Sequence, residues 1–283
     1  MENHSASPMD YRPSADFLAR YLERIRYSGA VDGSLKSVSA LMLQQLQTIP
    51  FENIDVQNGK MVSLAPDDII DKILNNKRGG YCYELNGLFA LVLQTLGVPY
   101  QLVACRPMVY PVKRPKTHMA LIADIDGHRY LLDLGFGSHG VRAPLELSQL
   151  ECDIHQGDSC FRLQKTNINN AQQHDFILQA KVDAIWQSQY SFNLSTHEFI
   201  DFAPANYLNS NHPDTLFVKK LVLLIFTANG KKVMVDNRLR ITENGESREL
   251  MIDDINAALA EHFNLPNNGL LAPIQTREGR DKA

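Results

Sequence analysis

The sequence predicts an α+β protein, with helices gathered toward the N-terminus and strands over most of the rest. Residues up to about 97 carry apolar side chains at helical spacing. From about Tyr100 the pattern changes to short runs rich in β-branched and aromatic residues. Several of these runs are joined by Asp-Gly or Asn-Gly, which favour tight hairpin turns. With 283 residues, 44% of them hydrophobic and 21% charged, the chain can bury two or three packed subdomains.

The first helix is expected from Ser14 and Asp16 as caps through Phe17, Leu18, Tyr21, Leu22 and Ile25. A second begins at Ser37, with Val38, Leu41, Met42 and Leu46 on one face, and stops before Pro50. Asp67 and Asp68 precede a third, carrying Ile69, Ile70, Ile73 and Leu74. A fourth starts at Cys82, presents Leu85, Leu88, Phe89, Val92 and Leu96, and closes at Gly97 with Pro99 beyond it.

Strands are then expected at 102–105, 119–125 and 129–134, the last two joined by Asp126-Gly127. Further strands follow at 161–163, 176–182 and 188–192, with the polar run Asn167 to His174 as an exposed loop. A short helix carries Phe199, Phe202, Ala203, Tyr207 and Leu208. Strands 221–227 and 231–235 flank Asn229-Gly230, and strands 238–242 and 247–251 flank Asn244-Gly245. A last helix spans 253–263, and the polar tail from Thr276 to Ala283 is expected to fray. The chain has no internal repeat.

Net charge is −4 and the isoelectric point about 6.1. Neither suits a general nucleic-acid binder or a protein held on anionic membranes. The start, Met1-Glu2-Asn3-His4-Ser5, lacks the basic and apolar regions of a signal peptide. No apolar run is long enough to span a bilayer. The expectation is a cytoplasmic protein with neither nucleic-acid nor membrane partners. Four cysteines, Cys82, Cys105, Cys152 and Cys160, form no Cys-x-x-Cys pair, and a disulfide scaffold is not expected in a chain of this size. Cys152 and Cys160 flank His155, but the spacing fits no common zinc module, so no metal site is expected. Cys105 reads as a small core hydrophobe.

The chemistry gathers around Lys77-Arg78-Gly79-Gly80-Tyr81-Cys82-Tyr83-Glu84-Leu85-Asn86-Gly87. Two glycines end a loop and a cysteine opens a helix. There the helix dipole and free N–H groups favour thiolate, the nucleophilic form. Thr117-His118-Met119 opens an apolar strand, and Leu132-Asp133-Leu134-Gly135-Phe136-Gly137 ends the next. Cysteine, then histidine, then aspartate is the composition of a nucleophile, its base and the group that orients the base. Read as structure alone, Cys82 would be core, His118 a satisfied histidine and Asp133 a turn residue. Arg78 and Glu84 read as an ion pair or loop anchor, and Glu52 and Asn53 as braces of the same loop.

These motifs resemble those of the arylamine N-acetyltransferase family. The matching runs are Pro50-Phe51-Glu52-Asn53, Arg78-Gly79-Gly80-Tyr81-Cys82-x-Glu84-x-Asn86, Thr117-His118-Met119, Asp133-x-Gly135-Phe136-Gly137 and Asn209-Ser210-Asn211-His212-Pro213-Asp214-Thr215-Leu216-Phe217. The resemblance implies three parts: an N-terminal helical bundle (1–97), a β-barrel-like middle domain (98–205) and a C-terminal α/β lid (206–283), around a cysteine-protease-like catalytic core. It implies ping-pong acetyl transfer from acetyl-CoA to an arylamine or arylhydrazine, with Cys82, His118 and Asp133 as the triad. Acetyl-CoA would be a co-substrate, with no cofactor tightly held. It also places Phe51 and Phe136 in the acceptor pocket, and Thr117 and Phe217 beside CoA. Lys113, Arg114 and Lys116, Lys219-Lys220, and Lys231-Lys232 are the basic groups available to phosphates.

The chain departs from the resemblance at Ser138-His139-Gly140-Val141-Arg142-Ala143-Pro144, which lacks a proline common in that stretch. This bears on acceptor choice, and His139 reads as an exposed loop residue. Competing uses of the same residues are a thiol hydrolase or transglutaminase-like enzyme, an amide synthase with another acyl donor, and a non-catalytic CoA or aryl-ligand binder.

Overall fold

The computed structural model describes residues 11–137, 139–167 and 174–271. Residues 168–173 of the expected Asn167–His174 loop and the frayed tail lie outside these residues, as does the N-terminal start, while Asn167 and His174 themselves pair as strand residues. Helix α1 (Phe17–Arg24) carries Phe17 and Tyr21 inward. The Asp16 side chain does not cap it; its carboxylate accepts from Ser14 and lies 3.6 Å from Arg20 instead. Helix α2 (Leu35–Thr48) is capped by Ser34, whose hydroxyl accepts from Ser37 N at 3.3 Å. The expected cap, Ser37, lies one turn inside and accepts from Asp32 N at 3.0 Å. Strand β1 (Phe51–Glu52) and helix α3 (Ile54–Gln57) are too short to have shown a period in the sequence.

Helix α4 (Pro66–Ile70) holds Asp67 and Asp68 in its first turn rather than before it, because Pro66 takes the first helical position. It runs on into a π-helical turn over Asp71–Asn75. Helix α5 (Cys82–Thr95) is buried from Cys82 to Leu93 without a solvent face, as expected of a helix passing through a core. It stops where Gly97 takes a φ of +70°.

The strands follow: β2 (Tyr100–Pro107), β3 (His118–Ile125), β4 (His128–Leu132), β5 (Leu145–Glu146), β6 (Ile154–Gln156), β7 (Ser159–Asn167), β8 (His174–Val182) and β9 (Ile185–Phe192). All eight form one sheet of antiparallel neighbours, curled as a half-barrel, in the order β5-β4-β3-β2-β9-β8-β7-β6. The β3–β4 turn at Asp126-Gly127 has both residues at positive φ, +52° and +80°, as a type I′ hairpin requires. A register shift between Leu178 and Gln179 leaves Gln189 of β9 opposite no residue of β8.

A 3₁₀ turn (Phe199–Phe202) leads into α6 (Ala203–Asn211) and α7 (Leu216–Lys219). Then come β10 (Val222–Thr227), β11 (Gly230–Val235), β12 (Arg238–Glu243), β13 (Glu246–Met251) and α8 (Ile255–Phe263). The second sheet is β1-β10-β11-β12-β13, so the N-terminal Phe51-Glu52 pairs with Leu224 and Leu223. The Asn229-Gly230 turn falls one residue early, at Ala228-Asn229. Gly230 is already in β11, opposite Glu243, where any Cβ would collide with the Thr242 carbonyl.

One core cluster joins α1, α2 and α5 to the eight-stranded sheet and to Leu224 and Phe226. A second, smaller core packs α8 against the other face of β10–β12, with Ile54 inserted. Among the described residues no helix is long and apolar enough to cross a membrane.

Candidate active site

The site starts with the turn before α5. A Cβ on Gly79 would strike the Pro50 carbonyl, and one on Gly80 would lie 2.7 Å from Glu84 Cβ. Only glycine lets this loop press so closely on the helix start. Tyr81 N donates to Glu84 Oε2 at 2.9 Å and closes the first turn. Glu84 is buried beside Lys72, whose Nζ lies 2.6 Å from both Glu84 and Asp55. Burial pushes the Glu84 carboxyl up to about 7 against the pull of Lys72. Arg78 pairs with Glu52 at 2.8 Å and with Asp55 at 3.3 Å. Arg78 and Glu84 are thus ion-paired anchors of the loop. Asn53 braces a different segment: its Nδ2 donates to Phe217 O (2.7 Å) and Lys220 O (2.8 Å), and its Oδ1 accepts from Val222 N (2.7 Å).

Cys82 is the first residue of α5 and is 3% exposed. His118 opens β3 and Asp133 follows β4, so the β3–β4 hairpin delivers both to the same end of the sheet. His118 Nε2 lies 2.7 Å from Asp133 Oδ2. Cys82 is the second hydrogen-bond partner of His118. Burial opposes the imidazolium, yet Asp133 and the bonds to Asp133 and Cys82 outweigh it and raise His118 to about 10. Burial likewise opposes the Asp133 carboxylate, and His118 outweighs it, so Asp133 is held below its ordinary value.

Asp133 is fixed from its other oxygen. Oδ1 accepts from Asn86 Nδ2 at 3.1 Å and from Gly135 N at 3.0 Å. Asn86 lies four residues after Cys82, on the same helix face. Its Nδ2 also reaches Met119 O (2.7 Å), and its Oδ1 accepts from Leu134 N (2.8 Å). One side chain therefore ties α5 to β3 and to the segment after β4. The motif run contains Asn86, and its i, i+4 spacing from Cys82 is the sequence signal of this bracing role. Gly135 is fixed by contact: its Cβ would lie 2.5 Å from Cys82 Cα.

Phe136 packs on His118, with ring centroids 5.1 Å apart, and on Tyr190 at 4.8 Å. Tyr190, from β9, also contacts His118 at 5.2 Å. Nothing local in the sequence marks Tyr190, because β9 reaches this place only through its pairing with β2. A cleft of about 550 Å³ opens here, walled by Cys82, His118, Phe51, Phe136, Thr117 and Phe217 together with parts of β2, β9, α6, β10 and β11. Phe51 and Phe217 face each other at 5.7 Å. The Thr117 carbonyl accepts from Tyr83 Oη (2.8 Å) and Asn209 Nδ2 (3.0 Å).

Arg114 lines the cleft with its guanidinium over the Tyr110 ring. Lys219 and Lys220 point elsewhere, to Asp214 and Asp236. His139 differs from expectation: it is half-buried and lines the cleft, and burial pushes it down to about 4. Cys105 is fully buried, which pushes its thiol well above its ordinary value.

A family model described as N-acetyltransferase matches residues 34–269. The arylamine N-acetyltransferase of Mycobacterium tuberculosis H37Rv is 32% identical over 92% of this chain and 94% of its own length. That of Escherichia coli K12 is 30% identical over 88% of each. Among solved structures, the M. tuberculosis enzyme superposes with a TM-score of 0.84 at 30% identity, covering 92% of this chain and 98% of that one. Mycobacterium marinum arylamine N-acetyltransferase in complex with CoA gives 0.83 at 29% identity, covering 93% and 97%. Motif order, fold and similarity along nearly the full length agree: this chain belongs to the arylamine N-acetyltransferase family.

Proposed function

We propose that this protein transfers an acetyl group from acetyl-CoA to the nitrogen of an arylamine or arylhydrazine, through an acetyl-Cys82 intermediate. The observation that carries the reading is His118, held at 2.7 Å by Asp133 and hydrogen-bonded to a cysteine on the wall of an apolar cleft. A cation beside a sulfur favours its thiolate, and Asp133 keeps His118 protonated at neutral pH.

The Cys82 sulfur attacks the acetyl carbonyl carbon. The tetrahedral intermediate collapses by breaking the bond to the CoA sulfur, which leaves with the proton of His118. An amine then attacks acetyl-Cys82, and His118, now neutral, takes the amine proton. Collapse releases the amide and restores the thiolate–imidazolium pair. The Cys82 backbone N–H, free at the start of α5, is the first donor to both oxyanions.

Phe136 and Phe51 supply flat apolar walls for an aromatic acceptor, and Thr117 and Phe217 neighbour the CoA arm. The CoA thioester is a co-substrate and no tightly held cofactor is invoked. The three-part division at 97 and 205, a cysteine-protease-like catalytic core, and a cytoplasmic setting without nucleic-acid partners complete the reading.

Mixing the protein with acetyl-CoA and reading the intact mass tests it. The expected result is one acetyl group on Cys82, discharged by an aromatic amine. Rapid CoA release without acceptor would mean hydrolysis, and no adduct with no release would mean a binder; either overturns the proposal.

A further inference from the structure

Far from the cleft in sequence, the β6–β7 hairpin brings a second thiol, imidazole and carboxylate together. His155 and Cys160 are cross-strand partners, and Asp153, immediately before β6, groups with them. Cys160 Sγ is 4.0 Å from His155 Nε2. The three ligand atoms lie within 4.8 Å of one another. A tetrahedral zinc site, with bonds of roughly 2.0–2.3 Å, separates its ligands by roughly 3.3–3.8 Å. A closure of about 1 Å, within reach of side-chain torsions on an edge hairpin, brings the three to that spacing.

We infer that Asp153, His155 and Cys160 form a surface site for a zinc-class divalent transition metal, bound through one oxygen, one nitrogen and one sulfur, with water completing the tetrahedron. The donor set selects the class: thiolate and imidazole suit zinc or cobalt, whereas calcium and magnesium want oxygen alone. A neighbouring cation does not close the site. Lys181 Nζ lies 3.4 Å from Asp153, but both side chains are substantially exposed, and such pairs are worth about 0.2–1 kcal/mol. The same ammonium also lies 5.3 Å from the Trp186 ring, a contact that does not involve Asp153. Cys152, exposed and adjacent to Asp153, is outside the ligand set.

The test is a cobalt(II) titration of the full chain carrying Cys82→Ser, which removes the sulfur of the cleft as a competing ligand. The expected result is one cobalt per chain with a sulfur-to-metal charge-transfer band, displaced by zinc. Cys160→Ser removes the band, and His155→Ala weakens binding at least ten-fold. Asp153→Asn weakens it by a smaller factor, and Cys152→Ser leaves it unchanged. His155 is exposed, so its loss does not threaten the fold. Absence of the band in the Cys82→Ser chain overturns the inference. So does a band that survives Cys160→Ser, or one that is lost with Cys152→Ser.

Discussion

Two places in this molecule hold a cysteine, a histidine and an aspartate, and the chemistry we assign to them differs. At the cleft, His118 is held by Asp133 at 2.7 Å and has Cys82 as its second partner, and all three are at most 4% exposed. On the β6–β7 hairpin, Asp153 and His155 are exposed, and Asp153 shares its charge with Lys181. There the carboxylate faces the thiol rather than orienting the imidazole. Residue types alone therefore do not make a nucleophile. An imidazole shared between thiol and carboxylate, burial that strengthens its ion pair and a fixed carboxylate do so. An open arrangement with three convergent lone pairs suits a cation instead.

The largest expected effect separates the two thiols. Cys82→Ser should abolish acetyl transfer with the fold intact, because a hydroxyl is far less acidic than a thiol. Cys160→Ser should leave turnover within about two-fold, since Cys160, on the β6–β7 hairpin, is not among the residues that wall the cleft. Steady-state rates on both variants check this. Wild-type turnover in Cys82→Ser would remove Cys82 from the mechanism.

A smaller effect is expected at the two carboxylates. Asp133→Asn should slow the acetylation of Cys82 by at least roughly a hundred-fold, about 2.7 kcal/mol of barrier. An amide can present an N–H to His118 and hold the wrong tautomer; in serine proteases the equivalent change costs about ten-thousand-fold. Asp153→Asn should leave the same rate unchanged. Single-turnover acetylation measures both, and equal rates in Asp133→Asn and wild type would reduce Asp133 to a turn residue.

The smallest effect is on stability against pH. His118 is raised in the folded protein to about 10, above an unfolded value near 6.5. A raised base stabilises fully below its unfolded value and loses that contribution as pH rises through the folded one. Wild-type stability relative to His118→Gln should therefore be greatest below about pH 6.5 and decline toward pH 10. Urea unfolding across that range reads it, and a difference that grows with pH would contradict the His118–Asp133 pairing.

Local chemistry in the chain was enough for much of this. Helical periods, Asp126-Gly127 and Asn244-Gly245 each act over a few residues, so α5, the β3–β4 hairpin and the β12–β13 hairpin were legible before folding. The motif runs around Cys82, His118 and Asp133 were legible for the same reason. Caps were less so: Ser34 and Ser37 are equally good local candidates, and only the extended backbone at Ser34 separates them. Pairings across the chain left no local trace. Phe51-Glu52 joins β10 more than 160 residues away, Tyr190 reaches His118 only because β9 pairs with β2, and Asn86 acts on Asp133 only once the sheet packs on α5. His155 meets Cys160 by strand register, with Asp153 beside them, which sequence spacing did not reveal. Short-range sterics and hydrogen bonds write themselves into neighbouring residues, whereas contacts made by burying distant apolar faces are set by the whole core.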